Sequence, residues 1–437
     1  MTINASKEFN KILLFILVLL PIYQDSPLSK YLGAAGYTIV MPLSLILIVL
    51  YVLIFRRLPK NEYLTGLVKL GIGMTIVSFA AIPVWLISGH NIVVASEFLP
   101  VKALKVNLEY FSYPAYVALL VILTRKTGTK AIGEDSFITL IILTIICLIE
   151  KQQSPYAFQN LHFSGIFPYW RIRLLTTEAS WTAMMIYVYT ALSLYWAITY
   201  KKRVAVVISI ICAATLILNT GSKTLMASIA ITAVVYVVVA FRTLSMKKIL
   251  GVLIMAFLLL AFSYTILPVL SGEFANDIEN YSSTATRLYT SIVGLIIGII
   301  IPCGAGGAVS VGVYQSMLLR LLPWFQRRFP LFSVNEIVAI ATSQTDEAVT
   351  VKSGILNQNM YWGIVGTIIF FAIFVKVTRE LTKNKVQNST LLIVTFWTTV
   401  ILLFAGGLSF EFWLILGFLI CVNEQYKRNI NQLQGEI

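Results

Sequence analysis

The chain has 437 residues, 58% of them hydrophobic and 12% charged, and its mean hydropathy is +0.85. Soluble domains carry about 25% charged residues, so this composition excludes a soluble globular protein, with or without a single anchor, and describes a polytopic membrane protein. The net charge of +14 does not indicate a nucleic-acid partner, because its distribution along the chain reads as a topology signal.

A membrane-crossing helix needs roughly 20 apolar residues. In chain order, apolar segments lie at 10–23, 37–55, 67–88, 108–124, 136–150, 179–200, 203–219, 222–241, 248–268, 354–376, 389–405 and 409–422. The expectation is therefore an all-α protein of about twelve transmembrane helices, built as a single membrane-embedded domain over 1–437. The first segment reads as a retained span, since no cleavage-site pattern follows it. A further apolar segment, 288–302, is short and ends in Pro302-Cys303-Gly304-Ala305-Gly306-Gly307. It is either a re-entrant helix or half of a hairpin completed near 308–322. No repeat of 20 to 50 residues is present and the two halves are not alike, which weighs against a transporter built from inverted repeats.

Basic residues set the orientation. One set of loops, holding Arg56, Arg57, Lys60, Arg125, Lys126, Lys201, Lys202, Arg203, Lys247, Lys248, Lys376, Lys427 and Arg428 among others, carries the whole positive excess. That side is assigned to the cytoplasm, with both termini on it. On the opposite side the longer loops are 151–178 and 269–353. The second contains amphipathic stretches such as 318–328, suited to helices lying in the interface. It is too apolar and aromatic to be disordered, so the working surface is expected there.

The chemistry-bearing residues follow from this topology. Arg171, Arg173 and Glu178 stand at a membrane boundary, where charge is costly unless something binds it. The two guanidiniums either snorkel to headgroups or grip a diphosphate, whose oxygens a planar fork matches; Glu178 would then orient an Arg or a sugar hydroxyl. Lys223 opens a helix after the tight turn Asn219-Thr220-Gly221-Ser222, and is either a topological exception or part of an anion site at a helix N-terminus. Arg287 follows a Ser/Thr run that can cap the next helix, and is either an interfacial Arg or a further cation on the same phosphates. His162 is a surface histidine or a base, and Asp346-Glu347 a solvated pair or bases. Cys147, Cys212, Cys303 and Cys421 show no metal-ligand or disulfide spacing.

Four stretches together resemble the bacterial O-antigen polymerases of the Wzy type. Arg171 through Ser180 is similar to the family's Arg, six residues, then Glu-Pro-Ser, with Ala179 for the proline and Leu174 where a glycine is common. Thr220-Gly221-Ser222-Lys223-Thr224 is similar to a Ser-Arg that opens a later span. Arg287, an apolar helix and Pro302-Cys303-Gly304-Ala305-Gly306 look like the family's Arg…Pro-x-Gly-x-Gly. Ser353 through Gly366 resembles the segment that opens the span after the long outer loop. Related O-antigen ligases carry a His near the start of that fourth stretch, and this chain has none there.

The resemblance implies a membrane-embedded glycosyltransferase of the GT-C class in the bacterial inner membrane. Such an enzyme transfers a growing glycan from undecaprenyl pyrophosphate to the non-reducing end of a lipid-linked repeat unit, at the periplasmic face. On this reading 151–178 and 269–353 are periplasmic loops, and Arg171, Glu178 and Arg287 are catalytic. Arg173, Lys223, Tyr289, Ser353 and Asn357 then contact pyrophosphate or glycan. Cations fixed around a leaving pyrophosphate stabilise the transition state more than the ground state, and no metal or other cofactor is expected. Donor and acceptor are both lipid-linked oligosaccharides, and a chain-length-regulating co-polymerase is a possible further partner. The alternatives are an O-antigen ligase that uses lipid A core as acceptor and a lipid-linked oligosaccharide flippase. The flippase should carry cations inside its spans.

Overall fold

The computed structural model describes residues 2–32, 36–56, 58–163, 171–177, 181–220, 222–241, 283–330, 332–344, 349, 351, 354–383, 388–404 and 409–435. The expected span at 248–268 and the candidate residues Glu178 and Ser353 lie outside them. The main helices are α1 (Thr2–Leu19), α2 (Val40–Phe55), α3 (Glu62–Ile87), α4 (Leu99–Thr127), α5 (Thr129–Gln153), α6 (Thr182–Thr199) and α7 (Arg203–Thr220). They continue as α8 (Lys223–Phe241), α9 (Ser283–Ile300), α10 (Gly306–Arg328), α11 (Asn335–Ala341), α12 (Gly354–Lys383), α13 (Asn388–Phe404) and α14 (Phe410–Gly435). Among the described residues the sheet content is one small antiparallel pair, β1 (Val93–Val94) with β2 (Glu97–Phe98). Among the described residues six helices, α3 to α7 and α12, are long and apolar enough to cross a membrane. The protein is an all-α, multi-pass membrane protein.

The helices overrun the apolar windows that announce them. At the start of α3 the Asn61 side chain accepts the N–H groups of Tyr63 and Leu64 at 2.9 and 3.1 Å. This cap satisfies donors that a helix start leaves orphaned, and moves the helix start to Glu62. Helix α4 begins nine residues before the expected span, because its polar first half is buried by neighbouring helices instead of being solvated: Lys102, Asn107 and Glu109 are all buried. Glu109 accepts the Tyr113 hydroxyl at 2.7 Å. The last carbonyls of α1, which have no partner within the helix, receive the hydroxyls of Tyr116 (to Leu17) and Tyr189 (to Val18).

Charge defines the two ends of the bundle. At one end Arg125 holds Glu424 in a two-pronged pair (2.9 and 2.7 Å), which Asn61 joins at 2.7 Å. Lys376 meets Glu62 at 2.7 Å, and Lys427 meets Glu62 and Glu380 at 3.2 and 2.7 Å. These residues come from the loops and helix ends that sequence grouped on one side, so the grouping is spatially real. Which compartment that end faces is taken up under the functional proposal.

Among the described residues two large apolar cores stand beside a small cluster at Trp196, Ala197 and Ala205. The larger joins α1 to α8 with the later part of α12 and with α13 and α14, and contains an aromatic stack of Phe370, Phe374, Trp397, Phe412 and Trp413. The smaller joins α9, α10 and α11 to the far end of α3, the β1–β2 pair and the first turns of α12. Segment 288–302 is thus one arm of a helical hairpin whose second arm is α10. Gly306 packs on Ser78 of α3 and Gly312 on Trp85 and Val94. Ser78 lies about 24 Å along α3 from Glu62 and about 14 Å from Ile87, at 1.5 Å per residue. The hairpin therefore enters from the end opposite the basic network and turns part-way down.

Helix α12, expected as one uninterrupted span, is broken at Gly363 (φ 65°, ψ −179°). The break faces the turn of the hairpin. Ala305 donates its N–H to the Met360 carbonyl at 3.0 Å, and Val365 donates to the Pro302 carbonyl at 3.1 Å. A Cβ on Gly304 (φ +86°) would come within 2.1 Å of the Tyr361 carbonyl oxygen, and one on Gly363 within 2.0 Å of that of Pro302. Gly304 and Gly363 thus serve a close approach between two protein backbones. Gly304→Ala or Gly363→Ala should cost about 1–3 kcal/mol from backbone conformation alone, with more from the clash. A clear drop in unfolding temperature in detergent is expected, whereas Gly73→Ala, whose Cβ meets nothing within 4 Å, should leave that temperature unchanged.

Candidate functional site

The end opposite the basic network is organised by residues 20–26, which follow α1. Gln24 donates its backbone N–H to the Leu175 carbonyl at 3.0 Å and forms a parallel bridge with Thr176. Its side-chain amide donates to the Pro21 carbonyl at 2.9 Å and to the buried carboxylate of Glu411 at the start of α14. Tyr23 donates its hydroxyl to the Leu161 carbonyl at 2.7 Å. Its pKa is raised, chiefly by burial and further by the neighbouring Asp25 carboxylate, against a lowering hydrogen bond from Ser26. The phenol therefore remains a donor. The carbonyl of Asp25 accepts the Phe163 N–H at 3.1 Å, and its carboxylate meets His162 Nδ1 at 2.8 Å. One short segment thus ties down two stretches of the 151–178 loop and the head of α14.

His162, a loop residue that sequence placed at the surface, is 2% exposed and Asp25 is 0% exposed. Among the described residues, Asp25 Oδ1 and His162 Nε2 have no hydrogen-bond partner. The carboxylate fixes the ring's orientation, but both side chains are enclosed, so their first effect is to hold the loop.

The Arg171–Thr177 segment is anchored from below by Glu150 in the last turn of α5. Its carboxylate accepts the N–H groups of Arg173 and Leu174 at 2.9 and 2.7 Å. Leu174 is left-handed (φ +53°), a conformation that favours glycine, and here the two charge-assisted bonds on either side of its peptide hold it. Thr176 Oγ1 donates to the Arg173 carbonyl at 2.7 Å, and Tyr37 and Thr177 share a hydroxyl contact of 2.5 Å. Arg173 is 5% exposed and its charge acts on Glu150. Arg171 is exposed, and among the described residues it makes no ion pair. Sequence reading missed Glu150. The available signal was an acid in the last turn of an apolar helix, where the macrodipole disfavours it unless donors are supplied.

The remaining candidates fall into place beside this segment or on the hairpin. Lys151 reaches Asn219 at 2.7 Å, which brings the turn before α8 next to the Glu150 anchor. Ser222 accepts the Leu225 N–H at 3.4 Å as a cap, and Lys223 is the first residue of α8. On the hairpin, Arg287 is exposed in the first turns of α9, beside Thr286, whose hydroxyl donates to Glu336 at 2.8 Å. Tyr289 is fully buried. Its ring lies 4.6 Å from that of Phe325 and its hydroxyl donates to the Leu318 carbonyl, so it closes α9 onto α10. Asn357 is buried and accepts the Val351 N–H at 3.3 Å.

The four motifs are therefore gathered in two pairs, 171–177 with 219–223 and 287–306 with 354–366, both opening on the end away from the basic network. Among the described residues no ion pair links Arg287 to the 171–177 segment, and no three His, Cys, Asp or Glu side chains are placed to hold a metal ion. Chemically, the arrangement offers exposed guanidiniums, Arg171 and Arg287 among them, for an anionic group arriving at this end.

No family model matches the chain, and no solved structure matches it. One curated relative, from Klebsiella pneumoniae, is described as an uncharacterized 49.5 kDa protein in the cps region; it is 23% identical over 304 residues, which cover 68% of each chain.

The Glu150 anchor is open to test. Glu150→Ala leaves two buried N–H groups without an acceptor, each costing about 1–3 kcal/mol. Limited proteolysis of the purified protein should then cut within 151–181 much earlier than in the wild type. Glu150→Gln, which keeps an acceptor oxygen, should show a smaller change, and Arg171→Ala none.

Proposed function

We propose that this chain is a polysaccharide repeat-unit polymerase of the bacterial inner membrane. It would transfer a growing glycan from a polyprenyl pyrophosphate donor to the non-reducing end of a lipid-linked repeat unit. The observation that carries this reading is the exposed Arg171, without an ion pair among the described residues, on a segment that Glu150 and Gln24 hold in place. Fixed guanidiniums need no reorganisation as charge develops on a departing pyrophosphate, which is the condition for electrostatic catalysis. Arg287, exposed on the separate hairpin at the same end, supplies a second guanidinium and Lys223 a third cation. Glu178, Ser353 and the more buried Arg173 take the supporting roles that the resemblance assigns them.

The relative in a cps region supports this reading, since such a region is one of capsule polysaccharide genes. The end with the ion-pair network is the cytoplasmic one by the positive-inside rule, which puts Arg171 and Arg287 at the periplasmic face. Twelve spans and a GT-C architecture complete the proposal. A flippase would shelter headgroup charge across the membrane and need cations along its path.

Reconstitution with purified lipid-linked repeat units should give a product ladder, with or without chelator. Arg171→Ala and Arg287→Ala should each lower polymer yield about 100-fold or more, the range seen when one fixed donor to a developing anion is lost. In cells, single lipid-linked units should accumulate at the outer face. Units held at the cytoplasmic face would instead mean flipping, and long lipid-linked polymer that never reaches lipid A would mean ligation.

A further inference from the structure

The α9–α10 hairpin covers the seam between α3 and α12 only down to the level of Ser78. Below it, toward the basic end, the seam is uncovered and forms a groove of about 350 Å³. Lys69, Gly73 and Val77 of α3 line one wall, Val365 and Ile369 of α12 the other, and Cys303 of the hairpin turn closes the deep end. The walls are apolar, and a Cβ built on Gly73 meets nothing within 4 Å, so this position is a gap in the wall and not a packing contact.

Lys69 is the exception to that apolar lining. It is exposed, and among the described residues it makes no ion pair. It sits about 10 Å along α3 from Glu62 at 1.5 Å per residue, and an ammonium at that depth snorkels toward the headgroup layer. From Lys69 to Val77, beside Cys303, the groove runs about 12 Å along the helix. One leaflet contributes about 15 Å of hydrocarbon. The groove therefore begins at a positive charge at headgroup depth and ends near the bilayer middle, against the hairpin turn.

We propose that this groove binds one anionic phospholipid from the leaflet at the basic end, with its phosphate on Lys69 and an acyl chain laid over Gly73 toward Cys303. The position of the charge selects a phospholipid over the polyprenyl pyrophosphate of the proposed reaction, whose diphosphate belongs at the other end of the molecule. The bound chain fills the space beneath the hairpin and supports the turn that holds Gly304 against the α12 break.

The test uses the full-length protein, delipidated in detergent and titrated with phosphatidylglycerol, phosphatidylcholine or a polyprenyl phosphate under native mass spectrometry. The wild type should retain one phosphatidylglycerol in preference to phosphatidylcholine. Lys69→Gln should weaken phosphatidylglycerol retention about fivefold, the effect of one basic residue at a membrane surface, and bring it level with phosphatidylcholine. Gly73→Leu, which fills the gap, should remove retention of both. Unchanged unfolding temperatures without added lipid would show that both variants fold. Equal phosphatidylglycerol retention in wild type and Lys69→Gln would overturn the proposal. So would tighter binding of the polyprenyl phosphate at the same site, or a Gly73→Leu variant whose only change is from dimer to monomer, which would mean that a second copy fills the groove.

Discussion

Two interrupted helices that repair each other set the architecture. A break in a lipid-embedded helix leaves amide and carbonyl groups that hydrocarbon cannot satisfy. Here the turn at Pro302–Gly306 and the kink at Gly363 lie against one another, and each supplies what the other lacks. The contact requires two residues without a Cβ at positive φ, Gly304 and Gly363. Because the turn must meet α12 at that level, α9 and α10 descend only part of the way and return. This single constraint lifts Arg287 to the end away from the basic network, closes Tyr289 inside the hairpin, and leaves the seam beneath it open.

The two ends of the bundle treat charge in opposite ways. At the basic end three cations hold carboxylates across the bundle: Arg125 has Glu424, Lys376 has Glu62, and Lys427 has Glu62 and Glu380. At the other end the acids Glu150, Glu411 and Asp25 are used internally, on backbone amides, a carboxamide and an imidazole. Exposed guanidiniums there are left without neutralising partners among the described residues. An end that spends its carboxylates on its own scaffold and leaves arginines exposed is suited to an incoming anion.

Much of the helix order was legible because hydrocarbon-length apolar runs report spans directly, and Arg125, Lys376 and Lys427, which sequence grouped on one side, do meet carboxylates from that side at one end. What hydropathy could not show was polar residues satisfied by tertiary partners. The first half of α4 reads as a loop because Lys102, Asn107 and Glu109 are hydrophilic, yet α4 is buried there. The kink at Gly363 was hidden because a single glycine in an apolar run looks tolerable, and only its partner 59 residues earlier in the chain explains it. Arg171 and Arg287 were legible as boundary arginines. The anchors of the Arg171 segment, Glu150 and the Asp25–His162 pair, were not, since each joins positions far apart in sequence. Leu174, which stands where a glycine is common in the family it resembles, adopts the left-handed backbone that favours glycine, a conformation the sequence did not announce.

The hub at residues 20–26 also fixes an order of events in biogenesis. Gln24 emerges from the ribosome early, yet its carboxylate partner, Glu411, lies 387 residues further on. Contacts of such high sequence separation form late. The cap at this end therefore closes only after α14 has been inserted, and a chain interrupted before that point would carry its arginines on an unassembled rim.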